Sequence, residues 1–162
     1  MVQLHMDKND FIVSKTDLHG KITYGNETFI KMSGYKEKEL INAPHNILRH
    51  PDMPAIVFKL LWDRLKNKQS INAYVKNSAK NGDYYWVLAN VTPSFDSHNN
   101  VVGYYSVRRK PSDKAIKIIE PIYAQMLGIE KQKGVRDSLN LLETTLKDGG
   151  VSYDEFIINI QK

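Results

Sequence analysis

The sequence contains no cysteine among its 162 residues. Disulfide bonds, thiolate nucleophiles and cysteine metal ligands are therefore excluded. No apolar run approaches the roughly 18 residues that cross a bilayer, and the chain does not open with a signal peptide. With 41% hydrophobic and 25% charged residues, the composition is that of a globular protein. We expect one domain with an extension, located in the cytoplasm and without direct membrane insertion.

Familiar catalytic motifs are missing as well. The sequence has no Gly-x-Ser-x-Gly, no phosphate-binding glycine loop and no His-x-x-x-His pair. Asp96-Ser97-His98 is contiguous and predicts a turn, because a catalytic triad needs residues that converge in space. The net charge of +5 is scattered except at Arg108-Arg109-Lys110, which we interpret as a charged strand end. We therefore expect neither an enzyme nor a nucleic acid partner.

The first half of the chain predicts a hairpin followed by helices. Residues 11–24 contain two short apolar segments around a His-Gly turn, which is typical of a β-hairpin. Residues 27–33, after Asn26 and before Gly34, predict a short capped helix. Another helical turn is expected at residues 37–41. Residues 55–66 carry apolar side chains at helical spacing and predict a longer helix.

The middle of the chain changes to a period of two residues. Three strands are predicted at Ile71–Asn77, Tyr84–Thr92 and Val101–Arg109. The first two are joined by a tight turn that contains Asn81-Gly82, and Pro93 is expected to end the second. The predicted fold class is α+β, a five-stranded antiparallel sheet with helices on one face, plus a C-terminal helical extension.

Helical patterns return after Pro111. One apolar stripe runs from Ala115 to Leu127 and is interrupted by Pro121, with Gly128 as its expected stop. A second covers residues 135–146, and a third follows Ser152, where Glu155 completes a capping-box pattern. These helices are too thin to fold alone, so they must pack on the sheet, on a second copy or on a partner.

The expected domain organisation has three parts. Residues 1–9 form an N-terminal arm or helix, residues 10–110 form the sheet domain, and residues 111–162 form the helical extension.

The run Asn46-Ile47-Leu48-Arg49-His50-Pro51-Asp52-Met53-Pro54 concentrates a cation, an imidazole and a carboxylate in four positions. Its two prolines fix φ and predict a stiff turn that starts a helix. Such a turn suits presentation of Arg49, His50 and Asp52 to a polar, anionic ligand. The alternative is a self-contained turn, in which Asp52 caps the next helix and Arg49 is solvated.

Several short motifs then point to a family. The order of elements resembles a PAS domain, as do the segments Asn26-Glu27-Thr28-Phe29, Ser33-Gly34-Tyr35, Lys80-Asn81-Gly82, Tyr85-Trp86-Val87 and Gly103-Tyr104. More narrowly, the chain resembles the sensory PAS domain of bacterial aerotaxis receptors and related energy-taxis proteins. That resemblance rests on Pro44 to Pro54, Val75-Lys76-Asn77 and Val87-Leu88-Ala89-Asn90. It covers roughly residues 10 to 109.

The resemblance implies a PAS sensory domain at residues 10–110 that binds FAD non-covalently and reads its redox state. It implies signalling to a membrane-associated chemotaxis protein, which would recruit this chain to the inner membrane, and we also expect a homodimer. The segment that influences the flavin in the family falls on Arg49, His50 and Asp52, and the loop asparagine falls on Asn46. Where the family has a tryptophan beside the flavin, this chain has Ile71, which forfeits about 0.5–1.5 kcal/mol of aromatic stacking.

Three further residues are candidates for contact with a ligand. Trp62 and Trp86 could line the pocket, with core packing as the alternative. Asn90 could hydrogen-bond a ring if its side of the strand faces inward. Both faces of this strand are apolar, which leaves the facing open and indicates that the outer face is covered too.

Two alternatives to a flavin sensor stay open at this stage. His45 or His50 could ligate haem, because some PAS domains hold haem through a histidine. The chain could also be a PAS protein-interaction module with another small ligand or an empty pocket.

Overall fold

A computed structural model describes residues 1–162 and contains one antiparallel sheet of five strands. The strands lie in the order β2-β1-β5-β4-β3. Their bounds are Ile12–Thr16 (β1), Ile22–Gly25 (β2), Ile71–Ser78 (β3), Tyr84–Phe95 (β4) and Val101–Arg109 (β5). The predicted α+β class and the five antiparallel strands are confirmed.

Helices connect the two parts of this sheet and follow its last strand. Between β2 and β3 lie α1 (Glu27–Ser33), α2 (Glu37–Leu40), a 3₁₀ turn (His45–Leu48) and α3 (Ala55–Lys66). After β5 come α4 (Asp113–Lys133), α5 (Val135–Gly149) and α6 (Tyr153–Gln161). No helix of the chain combines the length and the apolar character needed to cross a bilayer.

Local side-chain caps explain where several helices begin and end. The Asn26 side chain accepts a hydrogen bond from the Phe29 amide at the start of α1, and Gly34 adopts a left-handed conformation at its end. The Ser152 hydroxyl accepts from the Glu155 amide at the start of α6. These caps were readable from the sequence because each involves residues close together in the chain.

Two prolines and one glycine do not act as the pattern predicted. β4 continues through Pro93 to Phe95. Its pairing with β3 stops at Val91, opposite Ile71 at the start of β3, so the later part of β4 has a neighbouring strand on one side only. α4 continues through Pro121 and Gly128 to Lys133. Pro121 lies on the exposed side of α4, where water can satisfy the carbonyl freed by the missing amide.

The C-terminal helices cover the sheet face opposite α1–α3. The Tyr123 hydroxyl of α4 donates to the Tyr74 carbonyl over 2.7 Å, and the Tyr74 hydroxyl donates to the Ile157 carbonyl of α6 over 2.8 Å. The ring centroids of Trp86 and Tyr123 lie 6.0 Å apart. The sequence left three packing partners open for these helices: the sheet, a second copy or another protein. In the structure they pack on the sheet of the same chain.

The N-terminal arm is extended rather than helical. Leu4 donates its amide to the Tyr84 carbonyl, and the Tyr84 amide donates to the Val2 carbonyl. These bonds attach the arm beside the start of β4, and Met6 is buried.

Replacement of Tyr123 by alanine tests the packing of the extension. We expect the free energy of unfolding to fall by about 3–5 kcal/mol, because a buried ring is lost and its hydrogen bond to Tyr74 is broken. Urea denaturation measures this, with the half-exposed Tyr24→Ala as control. Equal, small losses for both variants would show that α4 is not part of the cooperative core.

Candidate functional site

A cavity of about 300 Å³ lies between α3 and the inner face of the sheet. Four elements of the sheet contribute to its wall, together with α3 and the loops around residues 19–20 and 44–49. The lining side chains from α3 and the sheet are Phe58, Leu61, Trp62, Leu65, Ser14, Thr16, Val75, Asn77, Ala89, Val91, Tyr104, Tyr105, Ser106 and Arg108; the loops add His19, Gly20, Pro44, His45, Asn46 and Arg49.

The periodicities of helix and strand determine which residues reach the cavity. The α3 residues Phe58, Leu61, Trp62 and Leu65 recur at intervals of three and four, so they share one side of the helix. Tyr104, Ser106 and Arg108 alternate along β5 and therefore share one face of the sheet.

Arg108 is a buried cation at the wall of this cavity, with a side chain that is only 2% exposed. It donates to the Ser14 hydroxyl, and its Nη1 lies 3.5 Å from His45 Nε2. The guanidinium carbon lies 4.8 Å from the centre of the Phe29 ring, a favourable cation–π geometry. Ser14 Oγ and His45 Nε2 are 3.1 Å apart. We call Arg108, Ser14, His45 and Phe29 the Arg108 cluster.

No negative charge compensates Arg108. None of the ion pairs in the chain includes it, and no carboxylate lines the cavity. Burial and the neighbouring cation lower the pKa of His45 to about 3, so this imidazole is neutral. Burial lowers the pKa of Arg108 to about 10, which leaves it charged at neutral pH. Its Nε has no hydrogen-bond partner. The cluster is therefore equipped to accept a negative or electron-rich group.

Two aromatic contacts flank the opening of the cavity. The exposed Arg49 side chain stacks on Phe58, with the guanidinium carbon 4.3 Å from the ring centre. Trp62 is 37% exposed and meets Tyr104 edge-on, with ring centroids 5.3 Å apart. Arg49, Trp62 and Asn46, three of the residues expected at a ligand site, thus line the cavity together.

His50 and Asp52 lie outside the cavity lining and attach their loop to the sheet. The Asp52 carboxylate pairs with Lys76 of β3 at 2.8 Å, and this contact holds the pKa of Asp52 below its usual value. His50 Nδ1 accepts from the Asp52 amide, and the His50 ring packs edge-on against Tyr84. Adjacent residues therefore differ in position: Arg49 lies at the cavity mouth, whereas Asp52 binds β3, and neither His50 nor Asp52 lines the cavity.

The remaining three expected residues also lie outside the lining. Trp86 is on the opposite face of β4, against Tyr123, so core packing is its role here. Asn90 shares that outer face and donates its side-chain amide to Asn72 over 3.0 Å. The sequence predicted a ligand contact only if Asn90 faced inward, and in the structure it faces outward. Ile71 is buried at the start of β3, beyond the residues that line the cavity.

Arg108 and Ser14 were not recognised from the sequence as site residues. Arg108 was interpreted as part of a charged strand end. The alternation along β5 could have identified Arg108. It is two residues from Ser106 and four from Tyr104, so the three side chains share one face of a strand that is central in the sheet.

His45 is poorly suited to bind haem iron. Its Nε2 already lies against Ser14 and beside the Arg108 cation. A positive iron would have to replace the hydroxyl contact and sit next to that charge.

Comparisons with known proteins identify the family of the fold. The PAS fold family matches residues 22–108. The aerotaxis receptor of Escherichia coli (strain K12) is 40% identical over 128 residues, which are 79% of this chain and 25% of the receptor. The nitrogen fixation regulatory protein of Klebsiella pneumoniae is 27% identical over 97 residues, 60% of this chain and 20% of that protein. The chain thus spans about a quarter or less of the length of these relatives.

A solved light-oxygen-voltage domain, described in a study of a flavin analogue, has the same fold. It aligns with a TM-score of 0.60 and 22% identity, covering 67% of this chain and 82% of that structure.

The neutral His45 predicts a specific dependence of stability on pH. Below about pH 6.5 the unfolded chain protonates this residue, whereas the folded protein does so only near pH 3. The free energy of unfolding should therefore fall as the pH decreases from about 7 to about 5, above the range in which carboxylates titrate. His45→Gln should reduce this slope in urea titrations, with His50, whose pKa is also lowered by burial, contributing the remainder; the exposed His19→Gln is the control for loss of an imidazole. Parallel slopes for wild type and His45→Gln would contradict a neutral His45 in the folded protein.

Proposed function

The chain belongs to the PAS family, in the branch of the aerotaxis receptor, and from this premise we propose that it is a redox sensor that binds FAD non-covalently. The observation that carries the proposal is the cavity with the buried, uncompensated Arg108. Two relations support it: the 40% identity to a protein named for aerotaxis, and the fold shared with a domain studied with a flavin analogue. The chain acts as a sensor without turnover of a substrate.

The size and chemistry of the cavity fit the ring system of a flavin. A volume of about 300 Å³ is at the lower end of the range for small-molecule sites, enough for a planar ring system but not for a complete dinucleotide. Apolar walls from α3 and β4 suit the faces of such a ring. Arg108 and Asn77 supply hydrogen-bonding groups for its carbonyl and nitrogen edge.

The phosphates of FAD would then lie beyond the mouth of the cavity, near Arg49. Its guanidinium is exposed while its position is fixed by the contact with Phe58. A guanidinium suits phosphate oxygens because it donates two parallel hydrogen bonds. The proposed cofactor site therefore consists of Asn46, Arg49, Trp62 and Arg108, and FAD, when bound, supplies a ring that accepts and returns electrons.

Helix α3 connects this site to the C-terminal helices. Its cavity side bears Phe58 and Trp62, whereas Val57 and Leu60 on another side adjoin apolar residues of α4, α5 and α6. Both carboxylate oxygens of Glu130 in α4 accept hydrogen bonds, one from the Ala55 amide and one from the Ile56 amide. A displacement of α3 by the ligand would therefore reach α4 directly.

The resemblance to the aerotaxis receptor indicates the kind of output. We assign to residues 111–162 the coupling of the PAS domain at residues 10–110 to a membrane-associated chemotaxis protein, with the chain in the cytoplasm and recruited to the inner membrane by that partner. A homodimer is part of the same proposal. Because the apolar stripes of α4–α6 are buried within one chain, a second copy would use another surface.

Paired variants at two adjacent residues test the cofactor site. We expect Arg49→Met to weaken FAD binding about tenfold, because a charged hydrogen bond to phosphate is lost, and to leave riboflavin binding unchanged. His50→Ala should leave both affinities unchanged, since His50 does not line the cavity, its ring packs against Tyr84 and its Nδ1 already accepts a hydrogen bond from the Asp52 amide. Quenching of tryptophan fluorescence on titration with each flavin gives the dissociation constants.

Two outcomes would contradict this assignment. Wild-type protein that binds neither flavin, or that binds haem in preference, would overturn the proposed cofactor. A loss of FAD affinity in His50→Ala equal to that in Arg49→Met would overturn the proposed arrangement of the site.

The contact of Glu130 with α3 is testable on its own. Pro54 offers no side-chain cap, so Glu130→Ala should destabilise the protein by about 1 kcal/mol. Hydrogen exchange should show faster exchange of the Ala55 and Ile56 amides, and FAD should change the protection of α4 less than in wild type. Glu120→Ala, on the exposed side of α4, is the control. Unaltered exchange at both amides would remove Glu130 from the proposed route.

A further inference from the structure

The charge distribution around the cavity is one-sided. The 20 lining residues include two arginines, no lysine and no carboxylate. Arg49 is exposed at the mouth and screened by solvent, whereas Arg108 is buried. The neighbours of Arg108 carry no negative charge. They are the Ser14 hydroxyl, the neutral His45, the Phe29 ring and the phenol of Tyr85, whose pKa is raised by burial.

A buried cation without a carboxylate is costly to maintain. Transfer of a charged group from water to a protein interior is unfavourable unless an opposite charge or a full set of hydrogen bonds compensates it. Arg108 retains an unpartnered Nε. A negatively charged ligand in the cavity would supply the missing compensation, and a neutral ligand would do so only in part.

We propose that the cavity binds the negatively charged form of its ligand in preference to the neutral form, and that Arg108 is the specificity-determining residue. The inference rests on the proposed function, because a flavin offers both forms of one ligand. The oxidised ring is neutral, and uptake of two electrons and one proton makes it a monoanion at alkaline pH. The phosphates are the same in both forms and cancel in the comparison.

A reciprocal consequence follows for the redox equilibrium of a bound flavin. If the protein binds the anionic reduced ring more tightly than the oxidised ring, binding shifts the equilibrium toward reduction by the same factor. Arg108 thus sets the range of redox conditions to which the sensor responds. It acts as a charge fixed in place before the ligand arrives.

The test compares the affinities of oxidised FAD and of FAD reduced by excess dithionite, under anaerobic conditions at about pH 8. We expect wild-type protein to bind the reduced form about tenfold more tightly, the difference between a hydrogen bond to a charged acceptor and one to a neutral acceptor. Arg108→Met should bring the ratio near one. Arg108→Lys should retain most of it, and Arg109→Met, at the exposed neighbour on β5, should retain all of it.

The pH dependence of wild-type binding provides a second measurement that requires no variant. At about pH 5.5 the reduced ring is largely neutral, so the ratio of affinities should fall toward one. A ratio that is the same at both pH values, or the same in Arg108→Met and wild type, overturns this inference alone. A wild-type protein that binds neither form of FAD overturns the proposed function together with it.

Discussion

The burial of Arg108 constrains the arrangement of the elements around it. The side chain extends from β5 between Ser14 of β1, Phe29 of α1 and His45 of the 3₁₀ turn. Each of these elements must keep its position to compensate part of the charge, because the Arg108 side chain is almost fully buried. The same contacts keep His45 neutral and join the helical layer to the sheet. The cavity is thus built around a fixed positive charge.

The second structural constraint is the position of α3 between two apolar interiors. One side of this helix lines the cavity, and another side packs toward the C-terminal helices. Its first amides are held by Glu130 of α4, and Arg64 near its end pairs with Asp154 of α6 at 3.2 Å. Since the interiors of proteins are densely packed, a shift of α3 on the cavity side must be accommodated by α4 or α6. In the proposed function, sensing and output would therefore share one helix.

Much of the fold was predictable because it depends on local chemistry. The hairpin turn at Gly82 and the helix starts at Asn26 and Ser152 involve residues within a few positions of one another. Pro93 and Pro121 were misjudged because their tolerance depends on surroundings, a missing neighbour strand and exposure to solvent.

The site was less predictable than the fold. The run from Asn46 to Pro54 was correctly singled out as chemically rich, but its neighbours in sequence face different directions, toward the cavity at Arg49 and toward β3 at Asp52. The facing of β4 could not be decided, because helices cover both sides of the sheet and both faces are apolar. The role of Arg108 in the site was not predicted, because it depends on contacts with residues that are 63 and 94 positions away in the sequence.

A crystal structure of the protein grown with FAD would test the central claim most directly. The account predicts the flavin ring between α3 and the inner face of the sheet, with an acceptor atom of the ring within hydrogen-bond distance of the Arg108 guanidinium. A ring bound outside this cavity, or one in the cavity whose acceptor atoms all lie away from Arg108, would contradict it.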